Sequence, residues 1–174
     1  MLDVAVSYNR YRFIGREFLT WLWYALEQKP KMVADVDPQI DGIEIGNRMV
    51  LENRGPSGLE TITIKGDDPG LEEGLTALKK GALVSEMSVS FSSGDQQWRM
   101  TLKGESLFIT GLKVPETGPV ESDQDIDGAL LEKTFLVERA VKLVDALFAR
   151  FIRIRISSQW QTETVSSIRK WIGI

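Results

Sequence analysis

The apolar positions of this chain change period several times, and each change marks an element. Phe18, Leu19, Leu22, Trp23 and Leu26 recur at helical spacing, which predicts a helix over residues 14–28. Trp21 and Tyr24 widen its apolar stripe, so burial on more than one side is expected, with Trp21 and Trp23 as core rather than as a base-stacking platform. Lys29-Pro30 ends the helix, because proline disfavours the helical conformation for the residue before it. Residues 30–41 carry two prolines and three aspartates and read as a loop. GIEIGNRMVLEN reads as two short strands about Gly46-Asn47, a pair that tolerates a tight hairpin turn. A turn at Gly55-Pro56-Ser57-Gly58 leads into LETITIK, an alternating, β-branched strand.

The period then returns to helical. Asp67 or Asp68 can cap a helix that begins near Pro69, with Leu71, Leu75 and Leu78 on its apolar face. Lys79 and Lys80 suit the negative end of the helix dipole, and Gly81 suits a left-handed stop. Met87, Val89 and Phe91 alternate with serines. Trp98, Met100 and Leu102 repeat the pattern after Ser93-Gly94-Asp95, and a last strand runs from Leu107 to Leu112. Residues 115–127 are acidic and read as a solvated loop. A long helix is expected over residues 128–153, about 38 Å at 1.5 Å per residue, and a final one over residues 161–172.

These elements predict one α+β domain spanning residues 1–174, with an antiparallel sheet of five to six strands. The long C-terminal helix and the Trp-rich N-terminal helix pack on its apolar face. The opposite face carries Ser88, Ser90, Arg99, Thr101 and Lys103, with Lys65 at its margin.

Composition narrows the chemistry. The 174 residues include no Cys and no His, which excludes disulfides, thiolate metal sites and Ser-His or Cys-His nucleophile pairs. Asp123, Asp125 and Asp127 alternate as in a calcium loop, but the glycine and glutamate such a loop needs do not follow in register, so they read as solvated. Glu72 and Glu73 likewise have no partner pattern for acid–base work. The chain is therefore expected not to be an enzyme and to need no cofactor or metal. The start MLDVAVSYNR lacks a signal-peptide pattern, and Phe13 to Leu26 is too short to span a bilayer, so a cytoplasmic location without membrane contact is expected.

Charge is unevenly placed. The net charge is -4, yet residues 1–127 hold 13 basic and 21 acidic side chains and residues 128–174 hold 8 and 4. Arg150, Arg153, Arg155, Arg169 and Lys170 crowd the C-terminal end, and Arg10, Arg12 and Arg16 lie near the N-terminus. If the two clusters meet on one surface, an acidic protein can still hold a polyanion.

The order of the elements also carries a resemblance. Leu19-Thr20-Trp21 within GREFLTWLWY comes first, and a strand ending in Lys65 follows. Then come the helix EEGLTALKKG, the strand ALVSEMSVSF, a strand with the pair Gln96-Gln97, a Gly-Glu-Ser-Leu turn, an acidic loop and an apolar final helix. From roughly Phe18 to Phe151 this series resembles the C-terminal part of the recombination-associated RdgC family. The resemblance implies a nucleoid-associated accessory that binds duplex DNA without sequence preference, forms a ring-shaped dimer and restrains recombinase-driven strand exchange. It places a DNA-contacting lysine at or beside Lys65. Members of that family are longer at the N-terminus, so a homo-oligomer, or a separately encoded partner supplying the missing N-terminal domain, is expected. The expected contact set is Lys65, Arg10, Arg12, Arg16, Arg150, Arg153, Arg155, Arg169 and Lys170. The alternative is a non-catalytic protein-interaction or assembly domain without nucleic-acid contact, suggested by the wide apolar helix faces and the acidic first 127 residues.

Overall fold

The structure, a computed structural model, describes residues 13–55, 58–66, 71–118 and 125–174. Its α+β architecture is the one expected. Helix α1 (Phe13–Gln28) leads into a short α2 (Pro30–Ala34). Strands β1 (Gly42–Gly55) and β2 (Gly58–Lys65) follow, then α3 (Leu71–Lys79). Strands β3 (Leu83–Ser93), β4 (Gln96–Lys103) and β5 (Phe108–Lys113) precede the long α4 (Asp125–Arg155). A π-helical turn at Trp160–Thr164 opens the last helix, α5 (Val165–Ile172). The five strands form one antiparallel sheet in the order β2-β1-β3-β4-β5. The expected helix cap at Asp67 or Asp68, and Pro56-Ser57 within the turn before β2, lie outside the described residues.

Alternation decides which side of the sheet is dry. Met49, Leu51, Ile64, Val84, Met87, Val89, Phe91, Trp98, Met100 and Leu102 all point to the helices and are buried. Helix α1 lies between that face and the other helices, which is why Phe18 through Ala25 are buried without interruption. Phe151 of α4 packs 5.6 Å from Phe18 and 5.5 Å from Trp21, and Trp171 of α5 meets Trp23 edge-on at 5.0 Å. Trp21 and Trp23 are thus core, as their spacing implies. The buried Thr20 stitches the layers together: its hydroxyl donates to the Arg16 carbonyl and accepts from the Val84 amide at 3.1 Å. One polar side chain thereby fixes the height of α1 on β3.

Four expectations are corrected. Residues 30–41 are not all loop, since Pro30 opens α2, where its fixed φ and missing N–H cost nothing. The Gly46-Asn47 pair does not turn the chain. Both halves of GIEIGNRMVLEN pair with β3, and the surplus residues are absorbed as a bulge between Ile45 and Met49. Gly46 is needed there because a side chain would collide with Ser88. The long helix starts at Asp125 rather than Gly128 and ends at Arg155, so its 31 residues span about 46 Å. The final helix begins as a π turn at Trp160.

Helix α4 is pinned near its middle. Trp98 Nε1 donates to the Leu136 carbonyl at 3.0 Å, and Arg139 lies over the same indole while donating to Gln39 O and Ser93 Oγ. The turns of α4 before Leu136 are mostly exposed. Among the described residues, no helix is long and apolar enough to cross a membrane.

Candidate nucleic-acid interface

The expected contact residues do not converge. Arg10 and Arg12 lie outside the described residues. Arg16 bonds Glu52 at 2.8 Å and approaches Glu105 at 3.8 Å. Arg155 bonds Glu17 at 2.8 Å and covers the Trp160 ring. Arg150, Arg153, Arg169 and Lys170 are exposed, but they sit on α4 and α5, on the helical side. Lys65 is on the other side. Ile64 is buried beneath the helices, so its neighbour on β2 points to the open face of the sheet. The hydrophobic core separates Lys65 from the C-terminal cations.

The open face itself is basic. Register places Arg48 opposite Lys65, Lys103 opposite Glu86 and Phe108, and Arg99 opposite Ser90 and Lys113. Arg54 joins this face at the far end of the β1–β2 ladder. The acids on the strands here are Glu44, Glu52 and Glu86, and Glu105 of the following turn lies beside Glu86 and Lys103, so six strand cations meet four anions in a protein whose net charge is -4. Ser88, Ser90, Thr101, Thr110 and Thr63 fill positions between the charges. Hydroxyls and cations of this kind suit phosphate oxygens.

Two irregularities shape the surface. Simple alternation from the core-packed Ile109 would turn Lys113 inward. A bulge between Arg99 and Thr101, with Gly111 at φ 59°, instead sends Leu112 inward and Lys113 out beside Arg99. The bulge in β1 lies across from it. Between them is a shallow basin of about 430 Å³, lined by Asn47, Ser88, Ser90, Arg99, Thr101 and Lys113 among others.

Glu86 sits in the middle of the cations. It accepts from Arg48 at 2.8 Å and lies 3.3 Å from Lys103. Burial alone pushes its carboxyl pKa up, but the hydrogen bonds and charges of Lys103 and Arg48 outweigh this and hold it below the ordinary value. Glu86 therefore stays ionised at neutral pH and orders both cations on the face. Among the described residues, no group of three or more His, Cys, Asp or Glu could hold a metal ion.

Ser88, Ser90, Arg99, Thr101, Lys103 and Lys65 lie on this face as the strand alternation implies. Of the six cations on this face the expected contact set holds only Lys65; Arg99 and Lys103 were placed on the face but not in that set, and Arg48, Arg54 and Lys113 were in neither. Arg48 was legible in principle, since it alternates with Met49 and Leu51. Lys113 was not, because the bulge that turns it out depends on pairing with β4. The chain matches no protein-family model and no curated protein.

Proposed function

We propose that the protein is a non-catalytic accessory that binds duplex DNA without reading its sequence, as its resemblance to RdgC proteins implies. The observation that carries the proposal is the excess of cations on the open sheet face, which includes Lys65. Phosphate binding needs Lys and Arg presented on one surface and no base-reading helix. In this reading the sheet face supplies the contact, and the paired guanidinium groups of Arg16 and Arg155 hold the fold together. A role in restraining recombination follows from the resemblance alone.

Anisotropy of a labelled duplex tests this. Three to four phosphate contacts predict about a 40- to 150-fold loss of affinity between about 50 and 200 mM salt, independent of sequence. Replacing Lys65, Arg99 and Lys113 by Ala should weaken binding to all duplexes alike and flatten the salt slope. No anisotropy change at low salt with the folded protein would remove the proposal.

A second reading is an assembly domain, and the start of α4 favours it. Leu130, Leu131 and Phe135 are 63%, 71% and 59% exposed, with Ile126, Val137 and Val141 also open to solvent. They lie on more than one side of the N-terminal half of α4, and a helix apolar on several sides is normally covered. A light-scattering mass of one chain, with no loss of solubility, would count against this reading.

A further inference from the structure

We propose that Phe108 is a stacking platform for an unpaired base, so that the β5 edge of the open face takes single-stranded nucleic acid. The inference rests on the nucleic-acid reading above and adds a substrate class to it.

Phe108 is 66% exposed, more than Phe135 or Phe13. It stands on the polar face of the sheet, away from the helical layer. Its direct cross-strand neighbour is Lys103, and the next pairs along the ladder are Thr110–Thr101 and Lys113–Arg99. An aromatic ring therefore begins a row of hydroxyls and cations. Alternate residues on β4 are about 6.8 Å apart, the scale of one nucleotide step in an extended strand. Lys103, Thr101 and Arg99 can thus meet successive phosphates while the ring receives a base. Stacking tolerates every base because each has a π face, and cations beside it follow the backbone.

The turn before Phe108 fixes its direction. Leu107 has φ 56°, a left-handed conformation uncommon for a bulky residue. The turn cannot relax freely. The Gly104 amide donates to Ser85 O at 2.8 Å, and the Gly104 backbone lies against Gly15 and Arg16 of α1. This anchored, left-handed turn delivers Phe108 to the open face, where packing in the fold does not require it.

The test compares a labelled oligothymidylate with a labelled duplex of the same length, using the full chain at low salt. Phe108→Ala should lower affinity for the single strand by about 5- to 150-fold and leave duplex affinity within about twofold. Phe108→Trp should restore single-strand binding. Circular dichroism of both variants should match the parent, since the side chain is mostly in water. Single-strand affinity indifferent to Phe108→Ala, while Arg99→Ala weakens both probes, would overturn the stacking role and leave the DNA-binding proposal standing. An equal loss on both probes would also overturn it, by marking Phe108 as support for the turn. Failure of the parent protein to bind either probe would defeat the broader proposal itself.

Discussion

Neutralising Glu86 should weaken the fold and strengthen phosphate binding, two effects of opposite sign from one carboxylate. The side chain is 24% exposed and holds Arg48 and Lys103, which are 43% and 45% exposed. Solvent screening limits the two pairs to about 0.5–1.5 kcal/mol together. Because the folded state holds the Glu86 pKa below its ordinary value, its contribution is present above the unfolded pKa and lost as pH falls through the folded one. Glu86→Gln removes that contribution at every pH. Urea denaturation at pH 7 should therefore show the variant less stable by about 1 kcal/mol, and the gap should narrow in acid as the parent carboxyl takes up its proton in the folded state. The substitution also raises the charge of the open face by one and frees two cations. Duplex affinity should rise, with the logarithmic salt slope steeper by about 0.9 for each further phosphate that a freed cation neutralises. Equal stability at pH 7, or a gap that does not narrow as the pH is lowered, would refute the ion-pair account, whatever happens to binding.

Other perturbations probe the packing. Gly15→Ala should lose about 1–3 kcal/mol by thermal or urea unfolding, since the added methyl overlaps the Gly104 carbonyl and backbone cannot step aside cheaply. Trp98→Leu removes a buried indole stacked 4.7 Å from Phe91, its bond to Leu136 and the seat of Arg139, so a loss of about 3 kcal/mol or more is expected, with increased proteolysis near the start of α4. Leu130→Lys with Phe135→Glu should leave the melting temperature within about two degrees, because both side chains are already in water, and should reduce any association measured by light scattering. Gly111→Val should destabilise by about 1–2 kcal/mol through its positive φ and should also weaken duplex binding by misplacing Lys113.

Much of the architecture was legible along the chain because local periodicity and burial agree. The serines alternating with Met87, Val89 and Phe91 name the wet face of β3, and the stripe from Phe18 to Leu26 names a helix with no exposed side in its middle. The stop at Gly81, with φ 90°, follows from glycine's lack of a Cβ at the position where the helical period ends. Local signals mislead where they compete with pairing to a distant strand. Gly46-Asn47 has the chemistry of a turn, yet β3 pairs with β1 on both sides of it, from Gly42 to Glu52, and those hydrogen bonds outweigh that preference. The interface shows the same competition. Clusters of Arg in sequence suggest a cradle, but Arg16 and Arg155 find carboxylates from other elements, and no linear count could anticipate Glu52 or Glu17 as partners.

The sequence by itself determined the types of the main helices and strands, the α+β class and which residues of each strand are apolar, because these follow from periods of two and 3.6 and from burial of apolar surface. Only the tertiary structure decided which charges share a surface. Charges gather through strand register and bulges, and those depend on pairing between segments far apart in the chain. The same register that buries Ile64 turns Lys65 toward Arg48, and the bulge at Gly111 brings Lys113 to Arg99.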